Sequence, residues 1–316
     1  MHKHASRTLA SLSAVSCAAA LLFTGGAARA EAQRPYTFTT FDAPDAAGAT
    51  FTIGINNHRD LSGSYIGAEG LFHGYVVLGG AYQPIDVPGA SQTVVTGIND
   101  SRVITGVYFD AAGFQHGFQL KHGQVTTIDD PDAVETVGIP FEFGPGLGTA
   151  TFNTNASGRV VGQYADAAGY SHGFFLDGGV FHTIDVAAAS HDPAMGTEVI
   201  ALNDKGDLGG SYRVSGFPFC HGFVSYGGQM FTLDVPAAGG TFGTQVNSIN
   251  NRGEVAGPYT DPSDQMHGFI YKNGQFRTVD YPGSFFSEID TINDHGDIVG
   301  EYVGADGALH GYMATR

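Results

Sequence analysis

The 316-residue chain has 31 acidic and 14 basic residues, which give it a formal charge of −17 at pH 7. A surface of this sign repels phosphate backbones and anionic lipids, so the composition excludes nucleic acid and membrane surfaces as expected partners. The 47 glycines lie among short runs of valine, isoleucine, phenylalanine, tyrosine and threonine, a composition typical of many strands joined by tight turns.

Residues 1–30 have the composition of a secretory signal peptide. Lys3 and Arg7 precede an apolar centre over residues 9–23, and Ala28-Arg29-Ala30 supplies the small residues of a cleavage site. The apolar centre is short and rich in alanine and serine, which argues against a membrane span. Residues 31–316 are therefore predicted to form a single secreted domain, extracellular or periplasmic, and we expect it to be a monomer.

Cleavage would remove three positive charges, leaving a formal charge of −20 and one cysteine, Cys220. A lone cysteine forms no intramolecular disulfide, so the fold must be stabilised by its core. We expect the Cys220 thiol to be buried and inert. His221 cannot serve as its base, because successive side chains of a strand face opposite ways.

One unit recurs six times between residue 36 and the C-terminus. Its most regular part is His-Gly-aromatic, preceded by an Asn that stands seven residues before a Gly and nine before a Tyr. A hydroxyl residue lies six positions ahead of each Asn, and a Thr-Ile-Asp-like segment follows each His except the last. The repeating histidines are His73, His116, His172, His221, His267 and His310. The sixth Asp segment stands at the other end of the chain, at Asp42.

Turn residues divide each unit into four strands, the size of a β-propeller blade. The predicted fold class is all-β: a six-bladed β-propeller of four-stranded antiparallel blades, with its last blade closed by the N-terminal strand. Such closure removes an exposed sheet edge. The predicted blades are about 50–88, 93–131, 149–187, 197–236, 244–282, and 287–316 together with 36–44.

The Ile-Asn-x-x-Gly-x-Ile-x-Gly-x-Tyr segment followed by His-Gly-Phe resembles the bacterial extracellular repeats of the HAF family, named after a His-Ala-Phe tripeptide. The middle residue is Gly throughout this chain, which departs from the family name. The resemblance covers residues 36–316 and implies a secreted, propeller-like bacterial protein. It implies no activity and no catalytic residues.

The repeating His, Asn and Asp residues are predicted to be scaffold. Six equivalent histidines on the third strand of a ring cannot converge on one ion, and buried polar groups need partners. The Asp-containing loops at Asp110, Asp166 and Asp261 have too few carboxylates for a calcium shell, so Asx turns explain them better.

A site is predicted where the repeats differ, five and three residues before the repeating Asn. In blades one to three these positions are mostly apolar, whereas blades four to six place Glu198, Gln245, Asn247, Glu288 and Asp290 there. Two insertions, 130–148 and 186–196, enter at the same end, and the second carries His191. The hypothesis is an acidic pocket at the mouth of the channel for a divalent cation such as calcium, or for a polyhydroxylated or cationic ligand. The alternative is solvated channel residues with ordinary loop variation.

Three functions remain open. The leading prediction is a non-catalytic propeller that binds an extracellular polymer or small ligand, since nucleophile-elbow, dinucleotide, phosphate-loop and zinc-protease motifs are absent from the sequence. For a polysaccharide, stacking would come from Phe109, Phe114, Tyr170 and Phe217, because the chain has no tryptophan. The second is a lyase or glycoside hydrolase using Glu198, Glu288 and Asp290 or a His191 base. The third is a surface protein without a ligand.

Overall fold

Each sequence repeat folds into one four-stranded antiparallel sheet in the computed structural model, which describes residues 35–134, 148–191, 196–215 and 219–316. The six sheets form a ring, and the part of the chain just defined contains no helix. The predicted all-β, six-bladed propeller is therefore confirmed. The predicted signal peptide lies outside the described residues.

The strands are numbered in chain order. They are β1 (Thr37–Phe41), β2 (Thr50–Ile55), β3 (Leu61–Ile66), β4 (Phe72–Leu78), β5 (Ala81–Ile85), β6 (Gln92–Ile98), β7 (Ile104–Phe109), β8 (Gln115–Lys121), β9 (Gln124–Ile128), β10 (Thr149–Thr154), β11 (Val160–Ala165), β12 (Ser171–Asp177), β13 (Val180–Ile184), β14 (Thr197–Leu202), β15 (Leu208–Arg213), β16 (Cys220–Tyr226), β17 (Gln229–Thr232), β18 (Ser248–Ile249), β19 (Val255–Thr260), β20 (Met266–Lys272), β21 (Gln275–Thr278), β22 (Thr291–Ile292), β23 (Ile298–Val303) and β24 (Leu309–Thr315). Blades 1 to 5 are β2–β5, β6–β9, β10–β13, β14–β17 and β18–β21, and blade 6 is β22–β24 with β1.

The N-terminal strand closes the ring. Strand β1 pairs antiparallel with β24, in a register that sets Thr37 opposite Thr315 and Phe41 opposite Gly311. The Asp42 carboxylate then accepts a hydrogen bond from His310 Nδ1 at 2.9 Å, the contact that the other five blades make within one repeat. The fourth strand of the last blade is therefore supplied by the residues that precede the first blade.

The aromatic residue of each His-Gly-aromatic unit forms the core. These six residues are at most 1% exposed and fill the space between neighbouring blades: Tyr75, Phe118, Phe174, Phe223, Phe269 and Tyr312. The Gly before each of them lies against the first strand of the next blade. A Cβ on Gly74, for example, would stand 2.5 Å from Val95 Cγ2. Alanine at this position would push neighbouring blades apart, which explains why the middle residue is Gly in all six units.

The repeating Asn residues close the ring at one end of the channel. Asn56 Oδ1 accepts the N–H groups of His58 and Asp60 and so holds the turn between the first and second strands. Its Nδ2 donates to the main-chain oxygen of Asn99 in the next blade. The same donation runs around all six turns and returns to Asn56, at 2.9 to 3.3 Å: Asn99 to Asn155, Asn155 to Asn203, Asn203 to Asn250, Asn250 to Asn293 and Asn293 to Asn56.

The repeating histidines join the third and fourth strands of each blade. In every blade the His Nδ1 is 2.8 to 3.1 Å from the carboxylate of the fourth-strand Asp. Each ring also stacks on the second-strand Tyr of its blade, as His116 does on Tyr108 at 5.0 Å. The histidines are not buried as predicted: their side chains remain 14 to 26% exposed, because they lie beside surface loops rather than between blades.

Candidate functional site

The axis of the ring contains two openings of different size. The end held by the Asn turns encloses only about 100 Å³. The other end opens into a cavity of about 380 Å³, named here the axial cavity, which is lined by the first strands of all six blades. Loops from the fourth strand of one blade to the first strand of the next enter at this wider end, as does each connection between second and third strands. A cavity of this size is in the range of small-molecule sites.

A β-bulge turns one residue of each first strand toward the axis. The register of strands one and two shifts between Thr52 and Gly54 in blade 1, and at the equivalent place in blades 2, 3 and 4. A bulged residue is left without a cross-strand partner, and its side chain is redirected. The bulged residues of blades 1 to 4 are Ile53, Thr96, Phe152 and Ile200, and all four line the axial cavity. These are the positions three residues before the repeating Asn.

The first strands of blades 5 and 6 are less regular. Strands β18 and β22 have two residues each. The segments before them are joined to the second strand of the blade by separate backbone hydrogen bonds, such as Glu288 N to Glu301 O at 3.0 Å. These segments carry Gln245, Asn247, Glu288 and Asp290, four of the polar side chains of the cavity. The regular inner strand is thus interrupted where the polar residues lie.

The axial cavity has two unlike walls. Blades 1 to 3 supply a mainly apolar wall of Phe51, Ile53, Val94, Phe109, Ala150 and Phe152, whose polar members are Thr96, Gln115, Asn153 and Gln163. Blades 4 to 6 supply a more polar wall, in which Ile200, Phe242, Met266 and Phe286 also lie. It contains the five polar residues predicted at the two variable first-strand positions: Glu198, Gln245, Asn247, Glu288 and Asp290. The structure therefore brings these five side chains to one surface. Whether they bind a ligand stays a prediction.

His191 does not lie on this surface. Its ring is exposed and stands edge-on to Tyr170, with 5.8 Å between the ring centroids. Most of the first predicted insertion (135–147), part of the second (192–195), and Phe217 lie outside the described residues. Phe109 lines the axial cavity, whereas Phe114 and Tyr170 do not appear among the residues that surround it.

Glu198 is held by a small polar network. Its carboxylate accepts hydrogen bonds from Ser211 Oγ at 3.2 Å and from Gln245 Nε2 at 3.3 Å. Burial raises the pKa of Glu198, although the nearby Arg213 guanidinium and these two donors act in the opposite direction. The blade 4 side of the polar wall is thus a carboxylate with partners.

The blade 6 side is a cluster of three carboxylates, and no lysine or arginine among the residues that the structure describes forms an ion pair with them. Glu288, Asp290 and Glu301 present oxygen atoms that all lie within 4.8 Å of one another. Burial, followed by repulsion from Asp290, raises the pKa of Glu288 to about 8. Burial likewise raises the pKa of Asp290 and, most strongly, that of Glu301. These groups favour a proton or another source of positive charge near neutral pH.

Glu301 was missed by the sequence analysis. It stands between the Gly and the Tyr of the second strand, directly opposite Glu288, and it is 2% exposed. The signal was present, because this position also varies among the repeats while its neighbours do not. Its occupants are Ser64, Val107, Gln163, Ser211, Pro258 and Glu301.

Two other sequence predictions concern residues away from the cavity wall. Cys220 is buried and unpaired, its Sγ donates to the Phe242 carbonyl at 2.9 Å, and burial raises the pKa of its thiol to about 12. Burial of the thiol is therefore confirmed, and its inertness stays a prediction. The loop carboxylates act as expected for Asx turns: Asp110 Oδ1 accepts the N–H groups of Ala112 and Phe114.

Comparison with solved structures places the chain among propellers of low sequence identity. A mutant of the Aleuria aurantia lectin in complex with Fucalpha1-6GlcNAc is 11% identical, with a TM-score of 0.53 over 84% of this chain and 91% of the lectin. AofleA from Arthrobotrys oligospora is 10% identical, with a TM-score of 0.57 over 90% and 87% of the two chains. TolB from Acinetobacter baumannii is 11% identical, with a TM-score of 0.50 over 86% of this chain and 65% of TolB.

At these identities the likeness shows the fold alone. No family model matches the chain, so the resemblance to HAF repeats stays a prediction. No curated protein matches it either. Over residues 35–134, 148–191, 196–215 and 219–316, a search for helices long and apolar enough to span a bilayer finds none.

Proposed function

We propose that this protein is a secreted, non-catalytic β-propeller that binds an extracellular carbohydrate in its axial cavity. One observation carries the proposal: a 380 Å³ cavity with an apolar wall facing a wall of carboxylate and amide side chains. A sugar ring has an apolar C–H face and a rim of hydroxyl groups. Phe51 and Phe152 offer surfaces for the first, and Glu198, Gln245 and Asn247 offer hydrogen-bonding groups for the second.

The proposal also includes export and membership of the extracellular repeat family. Export is predicted from the charge and hydropathy of residues 1–30, and the family from the six Asn, Tyr and His-Gly-aromatic repeats. The lectin named above was solved with a fucose-containing disaccharide. That disaccharide and its component sugars are the first ligands to test, while the fold likeness itself says nothing about what this cavity binds.

The test is direct binding of simple sugars. Isothermal titration of the protein beginning at Pro35 with L-fucose, D-galactose, D-glucose and the Fucalpha1-6GlcNAc disaccharide should give saturable heat for at least one. Affinity should fall at least tenfold in Gln245→Ala and in Phe152→Leu, because each loses one side of a two-sided contact; each tenfold is about 1.4 kcal/mol. Asp100→Asn, at the opposite end of the channel, is the control and should bind as the wild type does.

The carbohydrate assignment would be contradicted if no sugar gave heat at concentrations up to about 10 mM. Titration to that concentration also detects binding that is weaker than a millimolar dissociation constant, which corresponds to about −4 kcal/mol. Equal affinity in Gln245→Ala, Phe152→Leu and the wild type would place binding elsewhere on the molecule.

One observation favours an enzyme as the second candidate. Burial and repulsion from Asp290 raise the pKa of Glu288 to about 8, the direction that the general acid of a glycoside hydrolase requires. Incubation with bacterial and plant polysaccharides separates the two functions: release of reducing ends or unsaturated uronates, abolished in Glu288→Gln, would replace the binding proposal with this one. Saturable binding with no new ends keeps the protein non-catalytic.

A further inference from the structure

Three side chains at the blade 5 and blade 6 end of the polar wall hold oxygen atoms that lack a donor. Asn247 Oδ1, Asp290 Oδ2 and Glu301 Oε1 are buried, and none of the described residues donates a hydrogen bond to them. Glu301 itself is 2% exposed. A buried acceptor without a donor is costly, and a buried carboxylate without a cation more so. The cost is removed if positive charge enters the cluster.

The same chain shows how it treats a buried glutamate that serves only the fold. Glu254, 1% exposed, accepts from Asn250 Nδ2 at 2.8 Å and lies within 3.5 Å of three cationic side chains, Arg252, Lys272 and Arg316. Glu301 is as buried, yet no lysine or arginine of the described chain forms an ion pair with it, with Glu288 or with Asp290. Glu301 stands beside two further carboxylates instead. A cation from solution would supply the positive charge that the described residues do not bring to this cluster.

We infer that Glu288, Asp290 and Glu301, with the amide oxygen of Asn247, form a site for a hard divalent cation, calcium fitting best, in the polar wall of the axial cavity. The site is independent of the carbohydrate proposal, since the cluster lacks positive charge whether or not a sugar binds beside it.

The geometry suits a single ion. Two ligands on opposite sides of one calcium ion, each 2.3 to 2.6 Å from it, are about 5 Å apart. The three carboxylates offer oxygens within 4.8 Å of one another, so one ion can contact all three. Asn247 Nδ2 donates to Asp290 Oδ1 at 3.2 Å. Rotation of the Asn247 amide exchanges the positions of Oδ1 and Nδ2, and it then presents an oxygen beside the same carboxylate.

The donor set indicates the class of cation. All four side chains present oxygen, and none of them is histidine or cysteine, which favours calcium, magnesium or manganese over zinc or copper. Calcium accepts irregular shells of six to eight oxygens, whereas magnesium demands a near-ideal octahedron. The four ligands come from three segments: Asn247 from the residues before β18, Glu288 and Asp290 from those before β22, and Glu301 from β23. The cavity remains open for water. An irregular, partly hydrated shell of this kind suits calcium.

The test is calcium binding by protein treated with EDTA and dialysed, with no sugar present. Titration calorimetry and thermal unfolding should show one saturable site, with a dissociation constant of about 0.1 to 1 mM, the range of extracellular calcium modules. Asp290→Asn and Glu301→Gln should each weaken binding at least tenfold and abolish the calcium-dependent rise in melting temperature. Asp100→Asn, which removes the same charge at the narrow end, should leave both unchanged.

Misfolding does not confuse this result, because both variants are expected to unfold cooperatively at or above the melting temperature of the calcium-free wild type. The inference is overturned if the wild type shows neither heat nor a melting shift up to about 10 mM calcium, well above that affinity range. It is also overturned if Asp290→Asn and Glu301→Gln bind as tightly as the wild type. Binding of magnesium but not calcium would reject the choice of ion. Calcium binding without sugar binding would reject only the carbohydrate proposal.

Discussion

At the scale of single residues, Glu254 and Glu301 are two buried glutamates in opposite surroundings. Replacement by glutamine keeps the shape of the side chain and removes its charge, so one substitution reports the balance between desolvation and pairing at each place. A buried charge without a partner costs stability, whereas removal of one member of a buried ion pair leaves the rest uncompensated.

We therefore expect Glu301→Gln to raise the free energy of unfolding of the cation-free protein by about 1–2 kcal/mol at pH 8. Glu254→Gln should lower it by about 2–3 kcal/mol, because Arg252, Lys272 and Arg316 lose their shared carboxylate. Urea unfolding followed by circular dichroism, in EDTA, measures both. A destabilised Glu301→Gln variant would mean that the carboxylate cluster has a donor and is part of the scaffold.

Glu254 also predicts how stability depends on acid. Burial raises its pKa, but the hydrogen bonds from Asn250, Arg252 and Lys272 outweigh burial and lower the pKa from 4.5 to about 2. A carboxyl group whose pKa is lower in the folded protein stabilises it fully above the unfolded value, and the stabilisation disappears as pH falls through the folded value. The window for Glu254 is therefore pH 4.5 down to about 2.

Within that window the wild type should lose about 3 kcal/mol through this group alone. The difference in urea midpoint between wild type and Glu254→Gln should be constant from pH 7 to 5 and shrink toward zero near pH 2. A difference that stays constant down to pH 2 would show that the ion pairs around Glu254 do not form in solution.

At the scale of elements, the six turns between first and second strands form a second ring outside the Asn ring. In five of the six turns the residue after the Asn accepts, through its side chain, the N–H of the equivalent residue in the preceding turn. The observed contacts are Asn57 N to Asp100, Ala156 N to Asp204, Asp204 N to Asn251, Asn251 N to Asp294 and Asp294 N to Asn57. The sixth contact, from Asp100 N to residue 156, cannot form because alanine has no side-chain oxygen.

Ala156→Asn should complete this ring. Asn57 and Asn251 each bridge two aspartates through Nδ2, and an asparagine at 156 would bridge Asp100 and Asp204 in the same way. We expect a gain of about 1 kcal/mol in the free energy of unfolding and a rise of roughly 2 °C in melting temperature.

Ala156→Asp is the matched control for that substitution. It restores the acceptor for Asp100 N but sets three carboxylates side by side, so it should be no more stable than the wild type at low salt. Equal stabilisation by asparagine and aspartate would show that the amide bridge contributes nothing.

The strands were predictable to the extent that their punctuation repeats. The same Asn, Gly, Tyr and His recur in phase, so six repeats indicate the same strand boundaries. The split sixth blade followed from the separation of Asp42 from His310. The short strands β18 and β22 were not predictable, because the backbone hydrogen bonds of the polar residues before them, such as Asp290 N to Val299 O at 2.9 Å, depend on strand register, which spacing does not encode. The partial exposure of the histidines was not predictable either, because it depends on the surface loops beside them.

The candidate site was predictable in part. Glu288 and Asp290 stood out as deviations on a strand expected to face the axis, and both line the axial cavity. Their partner Glu301 did not, because it contacts Glu288 across a strand pair. Which residues oppose each other depends on register, and the bulges of blades 1 to 4 show that register shifts within the strand.

At the scale of the whole molecule, strand β1 has two roles that the natural chain combines. It supplies the fourth strand of blade 6, and, because it continues directly into blade 1, it also connects the first blade to the last. Five interblade connections come from the chain running from each blade to the next, and this shared strand makes the sixth. Circular permutation can separate the two roles, since the residues to be joined are adjacent: Arg316 Nε donates to Tyr36 Oη at 2.9 Å.

Joining Arg316 to Tyr36 through Asn-Gly, a favoured two-residue hairpin turn, allows new termini elsewhere. Opening the joined chain between Ala47 and Gly48 leaves six intact blades with five connections. Opening it between Gly178 and Gly179, in the hairpin of blade 3, splits that blade but keeps all six connections between blades. Both cuts fall at exposed residues.

We expect both permutants to fold. The 47/48 permutant should be about 1–3 kcal/mol less stable than the wild type, the order of a loop-closure term, and the 178/179 permutant should be close to the wild type. Urea unfolding and the unfolding rate measure the difference, and equal stability of the two permutants would show that blade packing alone closes the ring.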